Sequence, residues 1–193
     1  MQGTKLASRQ WLQGLVVLVL IALTGCRQKP ATSTTPAAVP STASTAQTRT
    51  PQTYEVKMAI HRSDQGLIFA FEPDRLQIAP GDTVRWVIDS GVHSSTAYHP
   101  DNGRFLRIPP GAASWDSGNL LNPGNAFEHV FQVEGVYDYM CTAHEFEGML
   151  GAMVVGRALD GPGLSPLSSD VHLPDKAVAK FDELTAWAKG LGR

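Results

Sequence analysis

Gly135-Val-Tyr-Asp-Tyr-Met140 and Met149-Leu-Gly-Ala-Met-Val-Val155 are short runs of aromatic, β-branched and apolar residues on either side of the loop Cys141-Thr-Ala-His144-Glu-Phe-Glu-Gly148. Each run has the length of a strand and is too short for a typical helix. The same pattern recurs outward along the chain. Phe127 to Val133 alternates and reads as the first arm of a hairpin with Gly135–Met140, its turn at Glu134-Gly135. Thr83-Val-Arg-Trp-Val-Ile88 follows Pro80-Gly81-Asp82, a turn in which proline fixes φ and glycine accepts a positive one. Tyr54 to Ile60 alternates, Gly66 to Phe71 is apolar and aromatic, and Arg75 to Ala79 and Val92 to Tyr98 are further candidate strands. Short strands divided by turn residues over 53–157, with almost no helical periodicity, predict an all-β sandwich.

Between Asn102 and Asn125 lie seven Pro or Gly residues. This stretch reads as an irregular crossover between the two halves of a Greek key. Beyond the domain, residues 158–193 form a C-terminal extension. Its 174–190 stretch predicts an amphipathic helix, with Val178, Phe181, Leu184, Ala188 and Leu191 at helical spacing and facing the domain.

The first fifty residues differ in kind. Lys5 and Arg9 precede Leu15 to Leu23, an unbroken apolar run of nine residues, the layout of a secretory signal over residues 1–25. The run is shorter than the ~20 residues a helix needs to span a bilayer. It ends in Leu23-Thr-Gly-Cys26, which resembles the bacterial lipobox, in which the cysteine carries the lipid. That resemblance implies an exported protein on the periplasmic side or cell surface, anchored to a membrane through Cys26. Residues 26–52 follow as a tether, because a stretch with four Pro, ten Ser or Thr and five Ala between 30 and 51 has no apolar period with which to bury a core.

Only Cys26 and Cys141 are present. Once Cys26 is lipidated, Cys141 has no disulfide partner, and a lone thiol in an oxidising compartment is a liability unless something holds it. The loop pattern C-x2-H-x4-M supplies that holder. Thiolate, imidazole and thioether are soft and borderline donors that suit copper, and a blue-copper site needs two His and one Cys with a weak axial Met. Cys141, His144 and Met149 supply three of the four groups, with Met153 a rival to Met149. The fourth must come from a distant histidine. His93, in Ser90-Gly-Val-His-Ser, lies just past the Thr83–Ile88 strand and is preferred over His99, His129 and His61. His99 and His129 are candidates to support the site by hydrogen bonding, although His129 also fits a satisfied core histidine.

These residues carry a family resemblance. Ala79-Pro-Gly-Asp-Thr-Val-Arg-Trp86, Val92-His-Ser94, Gly135-Val-Tyr-Asp-Tyr139 and the loop through Met149-Leu-Gly151 resemble cupredoxins of the plastocyanin, pseudoazurin and halocyanin group. The resemblance implies a Greek-key sandwich with one type 1 copper, outer-sphere electron transfer to a redox partner such as a cytochrome or oxidoreductase, and no catalysis. It also implies His144 as the electron port, with Met149 and Phe146 on a docking rim.

Residues 53–157 hold seven Lys or Arg against thirteen Asp or Glu, so an acidic surface, Glu145 and Glu147 included, is expected to steer a basic partner. The whole chain is nearly balanced at −2, and no basic run points to nucleic acid. Copper storage lacks the Met- or His-rich tract it calls for. A multicopper enzyme lacks His-x-His and His-Cys-His pairs, and a binuclear centre lacks the second loop cysteine. An open red copper site using His99 is the other reading.

Overall fold

The computed structural model describes residues 49–157 and 159–192; the signal, the lipobox cysteine and residues 26–48 of the tether lie outside them. Eight strands among the described residues form two four-stranded sheets. The first sheet runs β2 (Gly66–Glu72), β1 (Thr53–Ser63), β4 (Thr83–Ile88), β6 (Ala126–Val130), and the second runs β3 (Arg75–Ile78), β8 (Leu150–Val155), β7 (Gly135–Met140), β5 (Thr96–Ala97). The chain passes repeatedly from sheet to sheet, and β1 with β4 and β3 with β8 pair in parallel. This is the Greek-key β-sandwich expected from the strand pattern.

Between the sheets lies one aromatic-rich core. Trp86 on β4 packs against Trp115, Phe127, Phe131 and Tyr139, with Val56, Met58, Phe71, Tyr137 and Met153 in the same cluster. Tyr139 lies opposite Gly151 in the β7–β8 register, and a Cβ at Gly151 would fall 2.3 Å from its ring. A side chain there would displace the Tyr139 ring.

All six residues of β7 and all six of β8 are buried, which accounts for their almost continuous apolar sequence, broken at Asp138 alone. One face points into the core, and the C-terminal extension covers the other. Helix α1 (Asp175–Gly190) lays Ala177, Phe181, Leu184 and Ala188 over Tyr98, Met140, Leu150, Ala152, Val136 and Val154. Burying Phe181 and Leu184 contributes about 1.5–3 kcal/mol each. An ion-pair cluster fixes the helix further: Asp74 and Arg75 meet Lys180 and Glu183. The expected apolar stripe thus docks on the domain, with Ala177 in the contact while Leu191 is exposed.

Two strand expectations are corrected. Phe127–Val133 and Gly135–Met140 do not form a hairpin, because β6 pairs with β4 in one sheet while β7 pairs with β5 and β8 in the other. The residues between them arch across the sandwich, held where Phe131 exchanges backbone hydrogen bonds with Gly81 and Asp82 and where Tyr137 Oη donates to the Val133 carbonyl at 2.6 Å. Val92–Tyr98 is regular strand only at Thr96–Ala97. The hydroxyls of Ser94, Ser95 and Thr96 bond to Thr142, Trp115 and Asp116, and the backbone of His93 pairs with Leu120, so the segment is stitched into loops.

Residues 49–52, within the stretch read as tether, lie against the domain. Arg49 Nη1 donates to Asp82 Oδ1 at 2.5 Å, and the backbone amides of Gln52 and Ala79 donate to the same carboxylate. Burial works to raise the Asp82 carboxyl, but Arg49 and the two amides outweigh it and hold it below the usual range.

Candidate metal centre

Past the end of β4, a turn with Gly91 at φ +85° brings His93 back toward the opening between the sheets. The ring of His93 is buried, and its Nε2 lies 2.9 Å from the Ser90 carbonyl. A carbonyl only accepts, so Nε2 carries the proton and Nδ1 presents a lone pair. That Nδ1 lies 3.7 Å from Cys141 Sγ and 3.2 Å from His144 Nδ1, and Cys141 Sγ lies 3.4 Å from His144 Nδ1. Three lone-pair atoms turned toward one point make the donor arrangement of a cation site.

The β7–β8 loop closes on itself to hold two of these donors. Cys141 N–H donates to the Met149 carbonyl, Met149 N–H to the His144 carbonyl, and His144 N–H to the Cys141 carbonyl. Ser94 joins the His93 segment to the loop. Its N–H donates to Cys141 Sγ at 3.4 Å, and its Oγ accepts from Thr142 N–H at 2.9 Å. Cys141 is buried, and His144 is half-buried with Phe69 of β2 stacked on its ring at 3.9 Å between centroids.

Burial, with the nearby His144 second, pushes His93 down to about 4 against the pull of the Ser90 carbonyl. Burial also lowers His144, opposed by Glu147. Both rings are therefore neutral at pH 7, the form that ligates metal.

A depressed histidine binds fewer protons when folded than when unfolded, so its contribution to stability is present above pH ~6.5 and is lost as pH falls toward 4. The urea midpoint of the metal-free protein is expected to drop across that window, and to drop less in His93→Gln. Equal pH slopes would show that His93 is not the group responsible.

The donor set fits copper: one thiol sulfur and two neutral imidazoles. Met149 closes the loop, is buried and lies in the core cluster with Cys141. It is therefore no part of a surface rim, which corrects the docking role expected for it. Met153 sits on β8 opposite Tyr137, deep in the sandwich. His99 caps the turn Pro100–Asn102, accepting from Asp101 N–H at 3.2 Å. His129 stacks on Trp115 at 4.8 Å between centroids. Among the described residues neither bonds to His93, Cys141 or His144, and His61 pairs with Glu72 on the surface.

A family model described as copper binding proteins of the plastocyanin/azurin family matches residues 55–156. The chain belongs to that family. A halocyanin from Natronomonas pharaonis is 33% identical over 89 residues, 45% of this chain and 48% of that protein, so the match spans about half of the halocyanin. A plastocyanin from Scenedesmus fuscus is 31% identical over 96 residues, 48% of this chain and 92% of that protein. Among solved structures, a pseudoazurin from Sinorhizobium matches with a TM-score of 0.55 at 27% identity, covering 74% of this chain and 99% of that one. His93, Cys141 and His144 of this cupredoxin form its candidate type 1 copper site.

Sequence reasoning missed several supports of this site. The Ser90 carbonyl and the Ser94 amide are backbone groups, invisible in side-chain patterns. Phe69 lies in an apolar run already assigned to a strand, and the sequence alone does not say which ring faces His144. Glu145 and Glu147 are not free steering charges. Glu145 is 4% exposed and paired with Arg104, and Glu147 pairs with Lys176.

Proposed function

We propose that this chain is a membrane-tethered electron carrier, exchanging single electrons between redox partner proteins through one type 1 copper held by His93, Cys141, His144 and Met149. The observation that carries this reading is the triangle of His93 Nδ1, Cys141 Sγ and His144 Nδ1, with sides of 3.2 to 3.7 Å. Copper bound there supplies a one-electron couple. The protein's part is to keep the donors still: Ser90 orients His93, Ser94 N–H holds the sulfur, and the closed loop fixes His144 relative to both. Rigid donors reduce the rearrangement that accompanies electron transfer.

His144 is the half-buried ligand of the three and the natural port. Exposed apolar side chains stand around the ligands: Phe146 at 67% on the loop, Val92 beside His93, and Ile68 beside Phe69, whose ring stacks on His144. A partner that seats on them brings its own centre close to His144 and excludes water from the junction. Cys26 as a lipid anchor keeps the carrier at a membrane on the exported side. Cys26→Ser is expected to move the protein from the membrane fraction to the soluble one.

The test is titration of the chain with Cu(II), followed by repeated reduction and reoxidation. One equivalent is expected to give an intense thiolate-to-copper band with narrow copper hyperfine splitting, bleached and restored in each cycle. A pale or red product, or loss of metal on reduction, would instead support copper handling or an open catalytic site.

A further inference from the structure

We infer that Glu145 is a positioning residue for His144, an inference that rests on reading His144 as a metal ligand. The two histidines are held differently. His93 has its far nitrogen tied to the Ser90 carbonyl. Among the described residues, no protein group hydrogen-bonds to Nε2 of His144, whose ring is touched by Phe69 and by the other two donors. An imidazole without such a tie needs another means of keeping its direction.

The adjacent residue supplies it. A carboxylate in a polar surface loop ordinarily faces water, and burying one is costly unless each oxygen finds a partner. Glu145 is buried with both oxygens engaged: Tyr98 Oη donates to Oε1 at 2.8 Å and Arg104 Nη2 donates to Oε2 at 2.9 Å. Tyr98 is itself immobilised, fully buried between Phe105 and Phe181 at 5.2 and 4.9 Å between centroids. Phe181 belongs to helix α1, so the anchor reaches from the C-terminal helix to the metal loop.

The backbone converts this anchor into ring direction. His144 begins the short 3-10 turn Glu145–Glu147, and Gly148 N–H donates to the Glu145 carbonyl at 2.9 Å while Met149 N–H donates to that of His144 at 3.1 Å. With the Glu145 side chain fixed, the dihedrals of the preceding residue have little freedom. Across the turn, Glu147 pairs with Lys176 at 2.5 Å. There Gly148 has φ +80°, and a Cβ on it would lie 3.1 Å from the Lys176 carbonyl. The loop is therefore pinned on both sides of the turn that His144 opens.

The experiment compares the full chain with Tyr98→Phe, which keeps the buried ring and drops one hydrogen bond, and with Glu145→Gln, which keeps the size and drops the charge facing Arg104. Two readouts are used. In the metal-free protein, NMR contacts between the His144 and Phe69 rings report ring direction without any metal. In the loaded protein, competition with a Cu(I) chelator and the copper hyperfine splitting report the site. Both variants are expected to stay folded, to weaken the ring contacts, to lose about 10–100-fold in Cu(I) affinity and to change the hyperfine splitting.

Variants that melt earlier yet keep the ring contacts, the affinity and the splitting of the parent would overturn the inference and leave Glu145 as plain glue for the C-terminal extension. A parent without a thiolate-to-copper band would defeat the copper reading, while the metal-free ring contacts would still decide whether Glu145 directs His144.

Discussion

Cys141→Ser is expected to abolish the thiolate-to-copper band and to weaken Cu(I) binding by more than the ~100-fold that loss of an outer support costs. The sulfur is the one soft anionic donor in the triangle, and Cu(I) prefers such donors. A serine hydroxyl stays protonated at neutral pH and offers a hard neutral oxygen instead. His93 and His144 then retain Cu(II) weakly, and its EPR spectrum is expected to show wide hyperfine splitting. The fold should survive. Cys141 is buried beside the Ser94 amide, which donates to the sulfur at 3.4 Å and can donate to an oxygen in its place. The metal-free variant is expected to lose only about 1–3 kcal/mol, the cost of burying a hydroxyl with partial compensation. Denaturation of the metal-free pair separates the two effects. A variant that unfolds outright would mean the thiol is chiefly a core residue, and one that keeps the intense band would remove Cys141 from the site.

Much of this centre was legible because its donors sit in one short loop. Cys141 and His144 are three residues apart, so a single turn brings them together whatever surrounds it. His93 was harder, since its approach depends on two sheets facing one another. The strand-end position and the Val92-His93-Ser94 context nevertheless selected it over the other histidines. Glu145 and Glu147 show where such reading stops. In sequence they are two acidic residues of one polar loop, yet one is buried and both are paired. The difference lies in Tyr98 and Arg104, 47 and 41 residues away from Glu145, and in the C-terminal helix beside Glu147. Charge burial is decided by distant partners, and local composition does not contain them.

The fold divides the same way. Strand positions other than Val92–Tyr98 followed from short β-type runs and turn residues, and the C-terminal helix from its apolar period. Pairing did not follow, because alternation fixes which face is buried and leaves the neighbour open. The two-residue turn Glu134-Gly135 looked like that of a hairpin. The tie from Tyr137 to the Val133 carbonyl and the hold of Phe131 on Gly81 and Asp82 carry the chain to the other sheet instead. The nearly continuous apolar character of β7 and β8 already required cover on both faces. The apolar stripe of the C-terminal helix provides it.

Asp138 interrupts that apolar run on β7, and it sets up the second large effect. Its side chain is buried against the C-terminal extension, where Arg107 Nε donates to it at 2.7 Å. The same guanidinium donates to the carbonyls of Ser165 and Gly163 at 2.6 and 2.7 Å and lies over the Phe181 ring. Arg107 thus joins the sandwich to the extension with nearly every donor used. Arg107→Met keeps the aliphatic length and leaves Asp138 and two carbonyls without a partner, for an expected loss of about 3–5 kcal/mol.

The loss should depend on pH with a definite sign. Burial already pushes the Asp138 carboxyl up to about 6, with Arg107 pulling it down. Without Arg107 burial acts unopposed and the carboxyl rises further. A carboxyl raised above its unfolded value contributes stability at low pH and loses it as pH climbs through the folded value. The gap between Arg107→Met and the parent is therefore expected to be widest near pH 8 and to narrow toward pH 5 in urea denaturation. Cleavage within the extension by a protease should accelerate in step. Adding Asp138→Leu removes the stranded charge and is expected to recover much of the loss, since an apolar pair often replaces a buried ion pair at little cost. A single variant with a pH-independent loss, or a double variant no better than the single, would place the energy in the Ser165 and Gly163 hydrogen bonds instead of in the charge.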